Sequence, residues 1–113
     1  MTPDAFFTAK VVGVTFCDNY PQSIFGIAGK FAIGPTPISL VRDPHNQYDQ
    51  NAIQIHHDGQ MIGHMPMLLA KVIGPDIDSG NSWSAEVDSI VVSPEDPNKP
   101  GIKIKVWRDN ETQ

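Results

Sequence analysis

Apolar residues recur along this chain in short alternating runs, not in long helical stripes. From residue 6 to 16, Phe-Phe-Thr-Ala-Lys-Val-Val-Gly-Val-Thr-Phe, β-branched and aromatic side chains dominate and predict one long strand. Gly13 inside it predicts a bulge or bend, as barrels use at corners. Residues 37 to 42 and 52 to 57 predict two more strands. Between His57 and Gln60-Met61-Ile62, the pair Asp58-Gly59 is a strong two-residue hairpin signal. Residues 82 to 92 predict a strand with partial alternation. Residues 101 to 107 predict a last one, with Ile102, Ile104 and Val106 facing one way and Lys103, Lys105 and Trp107 the other. Between these two, Ser-Pro-Glu-Asp-Pro-Asn-Lys-Pro-Gly at 93 to 101 predicts a proline-rich exposed loop.

One segment carries a helical signature. Pro66 suits a first helical position, Met67, Leu68, Leu69, Ala70, Val72 and Ile73 supply apolar residues, and Gly74-Pro75 is expected to end the helix at residue 73. Residues 17 to 36 are punctuated by Pro21, Gly26, Gly29, Gly34 and Pro35, and Ser23 to Phe31 fits either a short helix or an irregular segment. Several short strands with turn signals and one clear helix near 66–73 predict a mainly β fold, a small β-barrel with helical decoration.

Length and composition narrow this further. A chain of 113 residues is expected to be a single domain, 1–113, with a core at about 6–108 and a frayed tail at 109–113. No apolar run approaches the ~20 residues of a spanning helix, and the start lacks the basic stretch of a secretory signal. The single cysteine, Cys17, cannot form an internal disulfide, and a cytoplasmic location is expected. A net charge of −5 argues against a general nucleic-acid coat, which needs a basic face. It leaves room for a small local contact with a strand end, modest in affinity and sensitive to salt. The His and Cys residues lack the spacing of a structural zinc site, and no P-loop glycine pattern is present, so no metal, cofactor or nucleotide hydrolysis is expected.

The densest chemistry lies at 41 to 53, Val-Arg-Asp-Pro-His-Asn-Gln-Tyr-Asp-Gln-Asn-Ala-Ile, where two strands flank a loop rich in Asp, Asn, Gln, His and Tyr. Turn chemistry alone accounts for Asn46 and Asp49, and Tyr48 could pack over a barrel end. With Val11-Val12-Gly13-Val14 before this loop and Gly63-His64-Met65-Pro66 after it, the chain resembles the HIRAN family over roughly residues 6 to 108. Members of that family occur fused to DNA-repair helicases and nucleases and as small stand-alone bacterial or phage proteins.

The resemblance implies a six-stranded barrel related to OB or SH3-like folds, and a pocket for the 3′ end of single-stranded DNA. In that pocket Tyr48 and Asp49 would hold the last nucleotide and His64 would meet a phosphate near it. A carboxylate fits such a role because it accepts a hydrogen bond from a terminal hydroxyl and repels a 3′-phosphate. Tyr48 offers a stacking face worth ~1–3 kcal/mol per base.

The expected DNA-binding set is Phe16, Arg42, Asn46, Tyr48, Asp49, His64 and Lys71, with no catalytic residue. Phe16 reads equally as a core aromatic. Thr15 and Met67 stand where relatives carry basic residues, and Arg42 and Lys71 are the cations that could compensate. Lys103, Lys105 and Trp107 could continue a strand-binding surface, although lysines protecting an edge strand are the stronger reading.

The expected function is recognition of the 3′-hydroxyl end of single-stranded DNA in repair or fork processing, with a repair or recombination protein as a further partner. Any ATPase or hydrolase activity would belong to fused domains. The rival reading is a protein-interaction adaptor using an apolar patch around Phe25, Ile27 and Phe31. The remotest is a small hydrolase pairing Asp49 with His64.

Overall fold

The computed structural model describes residues 6–109. Six antiparallel strands form one sheet: β1 (Phe7–Lys10), β2 (Pro37–Arg42), β3 (Ile53–His57), β4 (Gln60–His64), β5 (Trp83–Ser93) and β6 (Asp96–Arg108). The spatial order is β1-β6-β5-β2-β3-β4. The sheet curls on itself, and its two ends meet where Val12 and His64 exchange both backbone hydrogen bonds at 2.8 Å. Two helices decorate it, α1 (Gln22–Phe31) and α2 (Met67–Asp78).

Alternation builds the interior. Ile53 and Ile55 of β3 and Ile102, Ile104 and Val106 of β6 are all fully buried, while the residues between them face outward. The Asp58-Gly59 hairpin forms as its sequence demands: both residues have positive φ, 50° and 79°. Met67 to Asp78 continues the helix past Gly74 and Pro75. Its inward face, Ala70, Ile73 and Gly74, is buried, Ile77 packs on the core, and Asp78 in the last turn is tied to Arg42. That tertiary anchoring outweighs the local breaking tendency of Gly74-Pro75.

Three further expectations are corrected. The strand expected over 6 to 16 ends at Lys10. Gly13 adopts a left-handed φ of 73°, and Val14–Phe16 form a single 3-10 turn. Residues 93 to 101 are not a loop: only Pro94 and Glu95 turn, and Asp96 onward is already β6, with Ser93 opposite Asp96 and Val91 opposite Gly101. Prolines 97 and 100 are tolerated because β1 runs beside β6 only from Lys103 to Val106, so no strand on that side needs their missing N–H groups. Tyr20 covers this stretch by donating its hydroxyl to the Pro100 carbonyl at 2.8 Å. Of the expected tail, 110–113 lie outside the described residues, and Asp109 is docked: its N–H reaches the Ser82 carbonyl at 2.9 Å and its carboxylate accepts from Ser84 Oγ at 2.7 Å.

Candidate functional site

The 43–52 loop is held at its base by Arg42. This guanidinium donates to the Ala52 carbonyl at 2.7 Å and the Gln50 carbonyl at 3.0 Å, and grips both Asp78 oxygens at 2.9 Å. Helix α2 supports the loop from beneath. A Cβ on Gly74 would lie 2.9 Å from the Asn51 carbonyl oxygen, so only glycine lets the helix approach so closely. Arg42 is thus a structural clamp with four of its five donors engaged.

Within the loop, Asn46 is the organiser. Its side-chain carbonyl accepts the Tyr48 N–H at 2.9 Å and the Asp49 N–H at 3.1 Å, a turn closed by its own side chain. Its amide donates to Asp43 Oδ2 at 3.1 Å, and Gln54 Nε2 donates to the same oxygen at 3.2 Å. These two hydrogen bonds, aided by the nearby His64 and His45, hold the Asp43 carboxyl below the usual carboxylate range. Gln54 Oε1 in turn bonds His56 Nε2 at 2.8 Å. Asp43 and Gln54 were missed by sequence reasoning. Their signals are the Asp-x-x-Asn spacing and the outward position of Gln54 on β3.

The result is a presented tip. Tyr48 is 83% exposed. Asp49 is half-buried, accepts the Asn51 N–H on Oδ1 at 2.9 Å, and has no partner on Oδ2 among the described residues. His64 comes to this end through pairing: it lies directly opposite Gln54 across β3 and β4. Its Nε2 is buried and has no hydrogen-bond partner. A buried polar nitrogen without a partner is costly and calls for an explanation. No side chain caps the N-terminus of α2, two residues beyond His64 in the chain.

The other expected residues are more dispersed. Phe16 sits on the 3-10 turn, 90% exposed, so it is no core aromatic. It borders a groove of about 410 Å³ with Cys17, Asp18, Asn19, Gln60 and Met61. Strand rise places Met61 about 10 Å along β4 from His64. Lys71 is exposed on the outer side of α2, beside Val72. Thr15 shares the 3-10 turn with Phe16, and Met67 opens α2, 62% exposed.

The features expected for the two rival readings are placed differently. Ile27 is buried at 1% exposure and Phe31 packs against the core, while Phe25 alone is exposed, so the three do not form one surface patch. Asp49 and His64 share no hydrogen bond. Burial and the neighbouring Asp18 push the Cys17 thiol up, which keeps it protonated.

The profile of the HIRAN domain matches residues 5–109. The chain belongs to the HIRAN domain family. HIRAN domains are known as nucleic-acid-binding modules. The fold agrees. The HIRAN domain of human HLTF superposes with a TM-score of 0.63 at 19% identity, covering 94% of this chain and 78% of that one. A protein from Lactobacillus plantarum superposes with a TM-score of 0.64 at 20% identity, covering 92% and 93%. No curated protein sequence matches the chain. Among the described residues no helix is long and apolar enough to cross a membrane.

Proposed function

We propose that this HIRAN domain binds the 3′-hydroxyl end of single-stranded DNA at the tip of the 43–52 loop and has no catalytic activity of its own. The observation that carries the reading is the state of the loop's polar groups. Arg42, Asp43 and Asn46 bind the loop together, while the Tyr48 ring, Asp49 Oδ2 and His64 Nε2 are left without partners. Those three offer a stacking face, a hydrogen-bond acceptor and an imidazole nitrogen. A terminal nucleotide can stack its base on Tyr48 and donate its 3′-hydroxyl to Asp49, and a phosphate oxygen can accept from His64 once the imidazole turns its buried Nε2 outward. The uncapped start of α2 adds partial positive charge near that phosphate. An ionised Asp49 disfavours a 3′-phosphate, which supplies end specificity through repulsion. A role in repair or fork processing inside the cell follows from this end preference.

Fluorescence anisotropy at low salt tests it with a short oligonucleotide ending in 3′-hydroxyl or 3′-phosphate. The hydroxyl form is expected to bind at least tenfold tighter, about 1.4 kcal/mol. Asp49→Ala removes most of that difference while leaving the fold intact. Equal binding of the two ends by the wild-type protein would rule the reading out.

A further inference from the structure

The outward face of the sheet continues beyond His64 onto strands with no part in the loop. Residues directly opposite in an antiparallel pair share a face, and so do residues two apart along a strand. His64 pairs with Val12, which is 45% exposed. Two residues before it is Lys10, which pairs with Lys103 across β1 and β6. Strand spacings put the Lys10 backbone about 8 Å from that of His64. Lys10 and Lys103 are both exposed, and neither forms an ion pair among the described residues. Lys105, next on the same face, lies over the Phe6 ring at 4.8 Å and 3.9 Å from Glu86.

Two lysines directly opposite each other destabilise an antiparallel pair. Edge protection does not explain Lys103, because β6 lies inside the sheet between β1 and β5. In a chain of net charge −5, two unpaired lysines in opposed register, with the Lys10 side chain laid across Gly101, leave a local cationic strip that fits an anionic partner. We propose that Lys10 and Lys103 form a phosphate-binding ledge that carries a single DNA strand away from the His64 end of the site. The ledge extends the end-binding reading and rests on it. It supplies, from another strand pair, the positive charge absent at Thr15 and Met67. The nucleotides 5′ of the terminal one would cross Val12 and then the two ammonium groups.

The test is anisotropy with oligonucleotides of three and twelve nucleotides, each ending in 3′-hydroxyl or 3′-phosphate, titrated against the wild type, Lys10→Gln/Lys103→Gln and Lys99→Gln. Lys99 pairs with Asp96 at the far end of the β5–β6 hairpin and controls for loss of charge alone. Removing mutual repulsion leaves the double variant at least as heat-stable as wild type, so it folds. The double variant is expected to bind the three-nucleotide hydroxyl strand as wild type does and to lose the extra affinity for twelve. With two phosphate contacts removed, the salt slope drops by about 1.4, and the defect at 50 mM salt exceeds that at 200 mM about sevenfold. If the double variant keeps wild-type length and salt responses, or if Lys99→Gln loses as much, the ledge is refuted while any hydroxyl preference keeps the end-binding reading. If both ends bind alike and the double variant still fails on twelve nucleotides, the ledge stands and end recognition falls. If the wild type binds neither length, both fall.

Discussion

Gly63 joins the closure of the sheet to the placement of His64, and Gly63→Ala measures that link. The residue sits in β4 with φ +154°, a backbone region that side chains rarely adopt. A Cβ there would lie 2.5 Å from Val11 Cγ1 and 2.6 Å from the Val12 carbonyl oxygen. Neither neighbour yields easily. Val11 is 2% exposed and packed in the core, and the Val12 carbonyl accepts the His64 N–H at 2.8 Å. Backbone strain costs about 1–3 kcal/mol and forced overpacking another ~1–3 kcal/mol. Together they remove about 4 kcal/mol, a large share of the 5–15 kcal/mol typical of a domain.

At about 4 °C per kcal/mol for a chain of this size, the midpoint falls by roughly 16 °C. Gly59→Ala is the internal control. Gly59 has φ +79°, but nothing lies within 4 Å of its would-be Cβ, so strain alone applies, about 1–2 kcal/mol. Thermal melts and urea unfolding, both followed by circular dichroism, read the two variants. In the same variant the Val12–His64 bridge is displaced, and affinity for a 3′-hydroxyl strand drops with it. A Gly63→Ala loss within 1 kcal/mol of that of Gly59→Ala would show that the close approach of 11–12 to β4 is not what requires glycine.

Three further outcomes are expected. Arg42→Lys keeps the charge but cannot span Asp78 and two carbonyls at once; it costs about 2–3 kcal/mol and weakens DNA-end binding by loosening the loop, read by thermal melts and anisotropy on the same samples. Gly26→Ala/Gly29→Ala, at exposed positions of α1 with no atom within 4 Å of either Cβ, raises stability by about 1–2 kcal/mol in urea titrations. Stability falls in acid. Hydrogen bonds from Asn46 and Gln54 to Asp43, from Lys30 to Asp58 and from Arg42 to Asp78 hold these carboxyls below their ordinary values in the folded state. The unfolded chain therefore binds protons first, at about pH 3.9. The contribution is complete above that value and disappears as pH drops through the lower folded values, so Asp43→Asn shows a shallower acid decline in melts between pH 6 and 2.5.

Strand periodicity was readable because alternation has only one structural cause: the inward Ile102, Ile104 and Val106 could not be placed otherwise without exposing three large apolar side chains. The Asp58-Gly59 turn was readable for a similar reason, since few residue pairs tolerate positive φ twice. Apart from the docked Asp109, the misread boundaries involve Pro or Gly where a tertiary partner decides. Gly74-Pro75 ends a helix in isolation, yet here Gly74 meets the Asn51 backbone and Asp78 is gripped from another strand. Prolines 97 and 100 break a central strand, yet here they sit where β6 has no neighbour on one side.

The site divides along the same line. A sequence shows which polar groups a loop carries but not which of them satisfy one another. Arg42 and Asn46 looked like ligand contacts of the same kind as Tyr48 and Asp49, and the structure separates them by their hydrogen bonds. The groups left without partners are the ones a ligand can satisfy. By that criterion the proposed binding tip is Tyr48, Asp49 and His64, and the rigidity of the loop comes from Arg42, Asp43, Asn46 and Gln54. The two sets therefore predict different phenotypes. Tip substitutions that spare the hydrogen bond from Asn51 N–H to Asp49 lower affinity at unchanged stability, whereas substitutions in the support lower both together.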